Sequence, residues 1–155
     1  MGSGRIKPNT APSITETGTA SMATEIVVVD DQELMRLSFR MVIDSQPDLT
    51  VTGEAGDGAE AITAARALRP DVMLMDLRMP DLDGLQAARQ IIREAPEARI
   101  ILMTTFHIGD YVEAGLRAGV RGFLPKGSTP VQLLTAIRAV AAGAFVLPAR
   151  APRDA

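Results

Sequence analysis

Ile26-Val27-Val28-Val29-Asp30-Asp31 is the stretch that decides the fold: an apolar run closed abruptly by two acids. A run of about four apolar residues ended by a polar group reads as a strand of a parallel sheet, buried on both faces. The same grammar returns downstream. Val72-Met73-Leu74-Met75 runs into Asp76, Ile100-Ile101-Leu102-Met103 into Thr104-Thr105, and Gly122-Phe123-Leu124-Pro125 into Lys126. In an open α/β sheet, ligands bind at the carboxyl ends of the strands. Acids, a hydroxyl and an amine therefore converge at one end of one sheet.

Helical patterns fill the intervals. Asp31 to Asp44 carries Leu34, Leu37, Met41 and Val42 at helical spacing. Leu49 to Ala55 is a shorter strand with alternating Val51, Gly53 and Ala55, ended by Gly56-Asp57-Gly58. Ala59 to Leu68 reads as a helix stopped before Pro70. Leu85 to Glu94 is a helix entered through Asp81-Leu82-Asp83-Gly84 and stopped by Pro96. Tyr111 to Ala118 is a helix weakened by Gly115 and closed by Gly119. Ser128 or Thr129 caps a last helix with Pro130 at its first position, and Val131, Leu134, Ile137 and Val140-Ala141 form its apolar stripe. Strict β-α alternation implies an α/β fold, a parallel five-stranded sheet with helices on both faces.

Composition narrows the class. The 155 residues suit one domain with a full core, and 46% of them are hydrophobic. Net charge is −3 and aromatics make up 3%, which gives neither a basic nucleic-acid face nor a base-stacking platform. Cysteine is absent, excluding disulfides and thiolate metal sites. No apolar run approaches the roughly 18 residues of a membrane span, and no signal-peptide core opens the chain. The expectation is a cytoplasmic protein without a membrane partner. Residues 1–24, rich in Thr, Ser, Pro and Gly, read as a disordered leader or N-terminal extension, with Met22 a plausible native start. The folded domain is expected over 25–143. Residues 144–155 read as a C-terminal tail or the start of a linker, polar from Ala149.

The converging groups suit one chemistry. Asp30, Asp31 and Asp76 crowd carboxylates together, which is costly unless a cation sits between them. Carboxylate oxygens and water suit Mg2+, and a magnesium site with few protein ligands expects a phosphate to complete it. Lys126 supplies a point charge and Thr104 a hydroxyl for phosphate oxygens. No serine or cysteine stands at these strand ends, so a carboxylate is the nucleophile and the product an acyl phosphate. Asp76, alone on its strand between the paired acids and Thr104, is the best candidate.

At this point a resemblance takes hold. Val29-Asp30-Asp31, Leu74-Met75-Asp76-Leu77-Arg78-Met79-Pro80, Asp83-Gly84, Thr104-Thr105-Phe106 and Gly122-Phe123-Leu124-Pro125-Lys126 follow one another as in the receiver domain of two-component response regulators. Glu25 to about Gly143 resembles that domain. The resemblance implies a flavodoxin-like doubly wound (βα)5 sheet of order 2-1-3-4-5. Flavodoxin and the chemotaxis regulator share that order, and the strand pattern alone does not select it. The resemblance also implies that Asp76 accepts phosphate from a sensor histidine kinase, that Asp31 binds Mg2+ directly and Asp30 largely through water, and that the Arg78 backbone carbonyl is a further ligand. It implies Thr104 and Phe123 as the switch pair. Thr104-Thr105-Phe106, Arg117-Ala118-Gly119 and Gly122-Phe123-Leu124 look like the NarL/FixJ-type subfamily with LuxR-type output. That subfamily implies a DNA-binding parent regulator, contact with DNA only through a helix-turn-helix absent from these residues, and a phosphorylation-dependent homodimer. Two positions depart from the family pattern. Pro125 removes a backbone donor just before Lys126 and restricts Leu124, so the reach of the lysine becomes a structural question. Gly127 stands where many receivers have proline.

Plainer readings compete at each position. Asp30 and Asp31 also serve as caps for the first helix, and Asp81 and Asp83 read as turn and cap residues. Thr105 neighbours Thr104 closely enough to exchange roles with it. His107 reads as a solvated loop histidine, Arg121 as a solvated surface charge and Tyr111 as half-buried packing. Met73, Met75 and Met103 read as core filler. A competing class is the aspartyl-phosphate phosphatase, which places a second acid two residues after its nucleophile as general acid/base. Here that residue is Arg78, which cannot titrate near neutral pH. A receiver that never takes phosphate is disfavoured by the intact acids, Thr104 and Lys126. The reading is a phosphorylation switch rather than an enzyme.

Overall fold

The computed structural model of this chain describes residues 22–105 and 107–148. Residues 1–21 of the leader expected over 1–24, Phe106 in its motif and the tail from Ala149 lie outside the described residues, while Thr24 is already the first residue of a strand rather than of the leader. Strands and helices alternate without exception: β1 (Thr24–Val29), α1 (Glu33–Asp44), β2 (Leu49–Ala55), α2 (Gly58–Leu68), β3 (Val72–Asp76), α3 (Gly84–Glu94), β4 (Ile100–Thr104), α4 (Gly109–Ala118), β5 (Gly122–Pro125) and α5 (Pro130–Ala141). The strands form one parallel sheet in the order β2-β1-β3-β4-β5. β1 and β3 are therefore neighbours at the point where the strand order reverses, and their ends open into one crevice.

The apolar runs are continuous because both faces of the sheet are covered. Ile26, Val28, Leu74, Ile101, Met103 and Leu124 share one buried layer with Phe39 and Ile43 of α1 and Leu133, Ile137 and Val140 of α5. Val27, Val29, Met73, Met75, Leu102 and Phe123 share the other with Ala61 and Ile62 of α2 and Ala87 and Ile91 of α3; Tyr111 and Val112 of α4 pack against it. Burying each Val, Leu or Ile contributes about 1.5–3 kcal/mol. Ile43→Ala, at a fully buried position, is expected to cost roughly 2–5 kcal/mol.

The helix faces differ from the sequence reading. On α1 the stripe Leu34, Leu37 and Met41 points outward at 76%, 50% and 66% exposure, while Phe39 and Ile43 are buried. On α5 Val131 is exposed and the buried face is Leu133, Ala136, Ile137 and Val140. Both helices carry apolar residues around more than half their circumference, so spacing alone leaves the phase open. α1 begins at Glu33 with Gln32 as its N-cap and no side-chain cap bond, so Asp30 and Asp31 do not cap it. Asp30 Oδ1 instead accepts from the N–H of Gln32, ahead of the helix, at 2.9 Å. Thr129 caps α5 and Asp83 caps α3, each in a reciprocal capping box. In β2 the pairing register with β1 shifts between Ile26 and Val27, which puts Val51 in one core layer and Ala55 in the other, so the expected alternation of Val51, Gly53 and Ala55 on one face is broken. Arg121 is half-buried rather than solvated.

Candidate functional site

Asp76 is the last residue of β3 and is 5% exposed; Asp30 follows β1 at 1%. Asp31 is exposed. One carboxylate oxygen from each of the three lies within 4.8 Å of the others. The backbone fixes this trio. The Asp30 N–H donates to the Ala55 carbonyl at 3.0 Å, and Asp30 Oδ1 accepts from the Gln32 N–H at 2.9 Å. Arg36 reaches back from α1: its Nη1 donates to the Asp30 carbonyl at 2.6 Å and its Nε to Glu54 Oε1 at 3.0 Å. The β1–α1 turn is thus tied to the end of β2. Nothing in the sequence singles out Arg36, whose role depends on a contact 18 residues away.

Lys126 enters from β5. Its Nζ lies 2.7 Å from Asp30 Oδ2 and 3.3 Å from Asp76 Oδ2. Pro125 does not prevent this. Register pairs Pro125 with Thr104, and the Lys126 N–H then donates to the Thr104 carbonyl at 2.9 Å. Position 125 shares the outward-facing side of Phe123, whose N–H bonds to Val146, so the donor that proline lacks is not one the pairing with β4 uses. Thr104 is 1% exposed whereas Thr105 is exposed, so of the two threonines Thr104 is the one at the buried strand end. Arg78 turns its side chain outward, while its N–H donates to Asp76 Oδ1 at 3.2 Å. His107 is exposed.

Electrostatics follow from the crowding. Burial, then the Asp30 charge, push the Asp76 carboxyl above its ordinary value, and Lys126 only partly offsets them. For Lys126, burial works to lower the ammonium pKa, but Asp30 and Asp76 outweigh it and raise the value. Asp30 Oδ2 is held by the Lys126 ammonium at 2.7 Å. Three carboxylates with oxygens within 4.8 Å of one another are nonetheless a donor set for a hard divalent cation. The residues present fit Mg2+.

Close approaches frame the site. Gly84 lies against the Asp76 carbonyl, where an added Cβ would fall 2.2 Å from the oxygen. The N–H of Gly84 donates to the Leu77 carbonyl at 2.8 Å. On the other side Phe123 is fully buried. Its ring lies against α4 at Gly115, where a Cβ would come within 2.6 Å of Cε2 and Cζ. By sequence Gly115 is only a weak helix position; the contact that explains it is tertiary.

The comparisons agree with this geometry. The chain is 47% identical over 118 residues to the transcriptional regulatory protein YxjL of Bacillus subtilis (strain 168), covering 76% of this chain and 54% of that protein. It is 40% identical over 118 residues to the transcriptional regulatory protein LiaR of the same organism, covering 76% and 56%. The matches span about half the length of these relatives. Among solved structures it superposes on a two-component response regulator of the LuxR family from Aurantimonas sp. SI85-9A1 with a TM-score of 0.77 and 33% identity, covering 81% of this chain and 89% of that one. The profile of the response regulator receiver domain matches residues 26–138. With its sheet order and its acid-bearing strand ends, this chain belongs to the response regulator receiver domain family.

Proposed function

We propose that this receiver domain is a switch operated by phosphorylation of Asp76. The observation that carries the reading is a buried carboxylate at a strand end, flanked by Asp30 and Asp31 and reached by Lys126 at 3.3 Å. A phosphohistidine on a sensor kinase is the donor. An oxygen of Asp76 attacks phosphorus, the P–N bond breaks, and its electron pair stays on the imidazole. An acyl phosphate remains on Asp76. Asp31, Asp76 and the Arg78 backbone carbonyl would hold Mg2+ directly and Asp30 largely through water, and the ion would supply charge neutralisation at the transferred oxygens. Lys126 pairs with a phosphoryl oxygen, and Thr104 donates its hydroxyl to another.

A phosphatase reading is weaker, because Arg78 occupies the position of the second acid and turns outward. Transcriptional regulators among the relatives support a DNA-binding parent. On this reading the domain works in the cytoplasm, its phosphorylated form is a homodimer, and DNA contact belongs to a separate output domain. Among the described residues no helix is long and apolar enough to cross a membrane. Acetyl phosphate with Mg2+ is expected to add one phosphoryl mass to the chain and Asp76→Asn to abolish it. A full mass shift persisting in that variant rejects the assignment.

A further inference from the structure

The sheet ends at β5, and an edge strand presents unpaired N–H and C=O groups along its outer side. Here that side carries a guest. Beyond α5 the chain turns at Ala142 and Gly143 and returns beside β5, where Gly122 and Val146 form a parallel bridge. The Phe123 N–H donates to the Val146 carbonyl at 2.9 Å, and the Val146 N–H donates to the Arg121 carbonyl at 2.9 Å. The Arg121 guanidinium lies over the Phe145 ring, 5.1 Å from its centroid. Its Nη1 also reaches the Gly143 carbonyl at 3.5 Å. These contacts account for the half-burial of Arg121.

The attachment is shallow. Only Val146 packs into the core layer beneath α5. Phe145 and Leu147 remain 58% and 55% exposed. A segment held to the β5 edge by two main-chain bonds and one half-buried valine, with the Ala144 N–H bonded back to the Ala139 carbonyl of α5 at 2.9 Å, can leave that edge without disturbing the rest of the sheet. What it is bonded to is not neutral ground. Phe123 is the residue whose ring is lodged against Gly115, and its neighbour strand ends in Thr104.

We propose that the outer edge of β5 is a strand-docking surface, that its occupant is this chain's own segment from Ala144 to Leu147, and that docking is coupled to the state of Asp76 through Phe123. The proposal rests on the phosphoacceptor reading above. Strand addition gives the affinity through main-chain bonds, and the packing of Val146 gives the register. A movement of β5 toward a phosphoryl group on Asp76 alters the alignment of the Phe123 N–H with Val146. The coupling is reciprocal: whatever factor the phosphoryl group exerts on docking, docking exerts on the affinity of the site for that group. When the segment leaves, Phe145 and Leu147 move with it, so the following chain receives the state of the site as a change in its anchor.

The test uses the full chain with beryllofluoride and Mg2+ as the phosphoryl mimic, read by amide hydrogen exchange and NMR titration. Binding of the mimic is expected to change the protection of the Phe123 and Val146 amides together, by tenfold or more. Val146→Pro deletes the donor to Arg121. It is expected to speed exchange at Phe123 and to change the apparent dissociation constant of the mimic several-fold. Arg121→Ala leaves every backbone donor in place and is expected to speed exchange at Val146. Unchanged protection at both amides with the mimic bound overturns the proposal, as does an identical dissociation constant in Val146→Pro. If the wild type takes no mimic at Asp76, the phosphoacceptor reading fails. The docking surface is then judged by Val146→Pro alone, and unchanged exchange at Phe123 overturns it.

Discussion

The backbone N–H of Lys126 donates to the carbonyl of Thr104 at 2.9 Å, which joins the working ends of β5 and β4 into one unit. Through that bond Lys126 is delivered to both Asp30 and Asp76 despite the proline before it. The lysine therefore places a positive charge against two of the carboxylates that would hold a divalent cation.

The consequence is a tighter metal site without the lysine. Lys126→Met removes a cation within 3.3 Å of two carboxylates. Mg2+ affinity is expected to rise about tenfold, equivalent to about 1.4 kcal/mol. Isothermal calorimetry with MgCl2 measures it. An affinity that falls or stays the same shows that Lys126 and the metal do not compete.

The sheet and most of the site were legible because strand ends in a parallel fold are marked twice, by an apolar run and by the polar residue that stops it. Asp30, Asp76, Thr104 and Lys126 all sit at such boundaries, and the structure brings the acids and the lysine together. What stayed hidden depends on tertiary distance. Arg36 acts on Asp30 from the second turn of α1, and Gly115 matters only because the Phe123 ring arrives there. The phase of α1 and α5 was equally hidden. Leu34 and Val131 are as apolar as the residues that are buried, and only the position of the sheet decides between them.

Magnesium binding is expected to depend on Asp31 without the fold depending on it. Asp31 is exposed and does not cap α1, so Asp31→Ala removes a ligand and little packing. Thermal stability in chelator should change by less than about 0.5 kcal/mol, while Mg2+ affinity and the rate of phosphorylation by acetyl phosphate fall at least tenfold. Equal rates in chelator and in magnesium remove the metal from the mechanism.

Asp76→Asn is expected to stabilise the metal-free protein, with a definite pH dependence. The native carboxyl is raised above its ordinary value near 3.8, first by burial and then by Asp30. Native protein therefore holds this proton more tightly than unfolded chain does. Stability is greatest below 3.8 and is lost as pH rises through the raised native value. Asparagine has no proton to lose. The gain in Tm should be negligible at low pH and reach a few degrees at neutral pH, since about 1 kcal/mol moves a domain of this size by roughly 2–4 °C. Scanning calorimetry across that range in chelator decides it. A gain that shrinks with rising pH contradicts the sign.

The last prediction separates receiving the phosphoryl group from reporting it. Thr104 is buried at the end of β4, and Phe123 fills the space between β5 and Gly115. If the Thr104 hydroxyl moves toward phosphoryl oxygens, the volume it leaves is open to Phe123, and α4 follows the ring. A phosphoryl group shifts this balance only by its differential affinity for the two arrangements. Thr104→Ala removes the hydroxyl and should leave acetyl phosphate labelling of Asp76 in place, while NMR shifts in α4 and β5 on adding beryllofluoride fall to a small fraction of wild type. Gly115→Ala acts from the other side. Its methyl group would stand 2.6 Å from the ring, so the ring is displaced at a cost of roughly 1–3 kcal/mol. The α4 shifts should then be present before any mimic is added. Both variants are needed, because loss of shifts in Thr104→Ala alone also follows from weak mimic binding. Shifts of wild-type size in Thr104→Ala, or a resting spectrum of Gly115→Ala with α4 unmoved, would break the chain of contact from Asp76 to the surface.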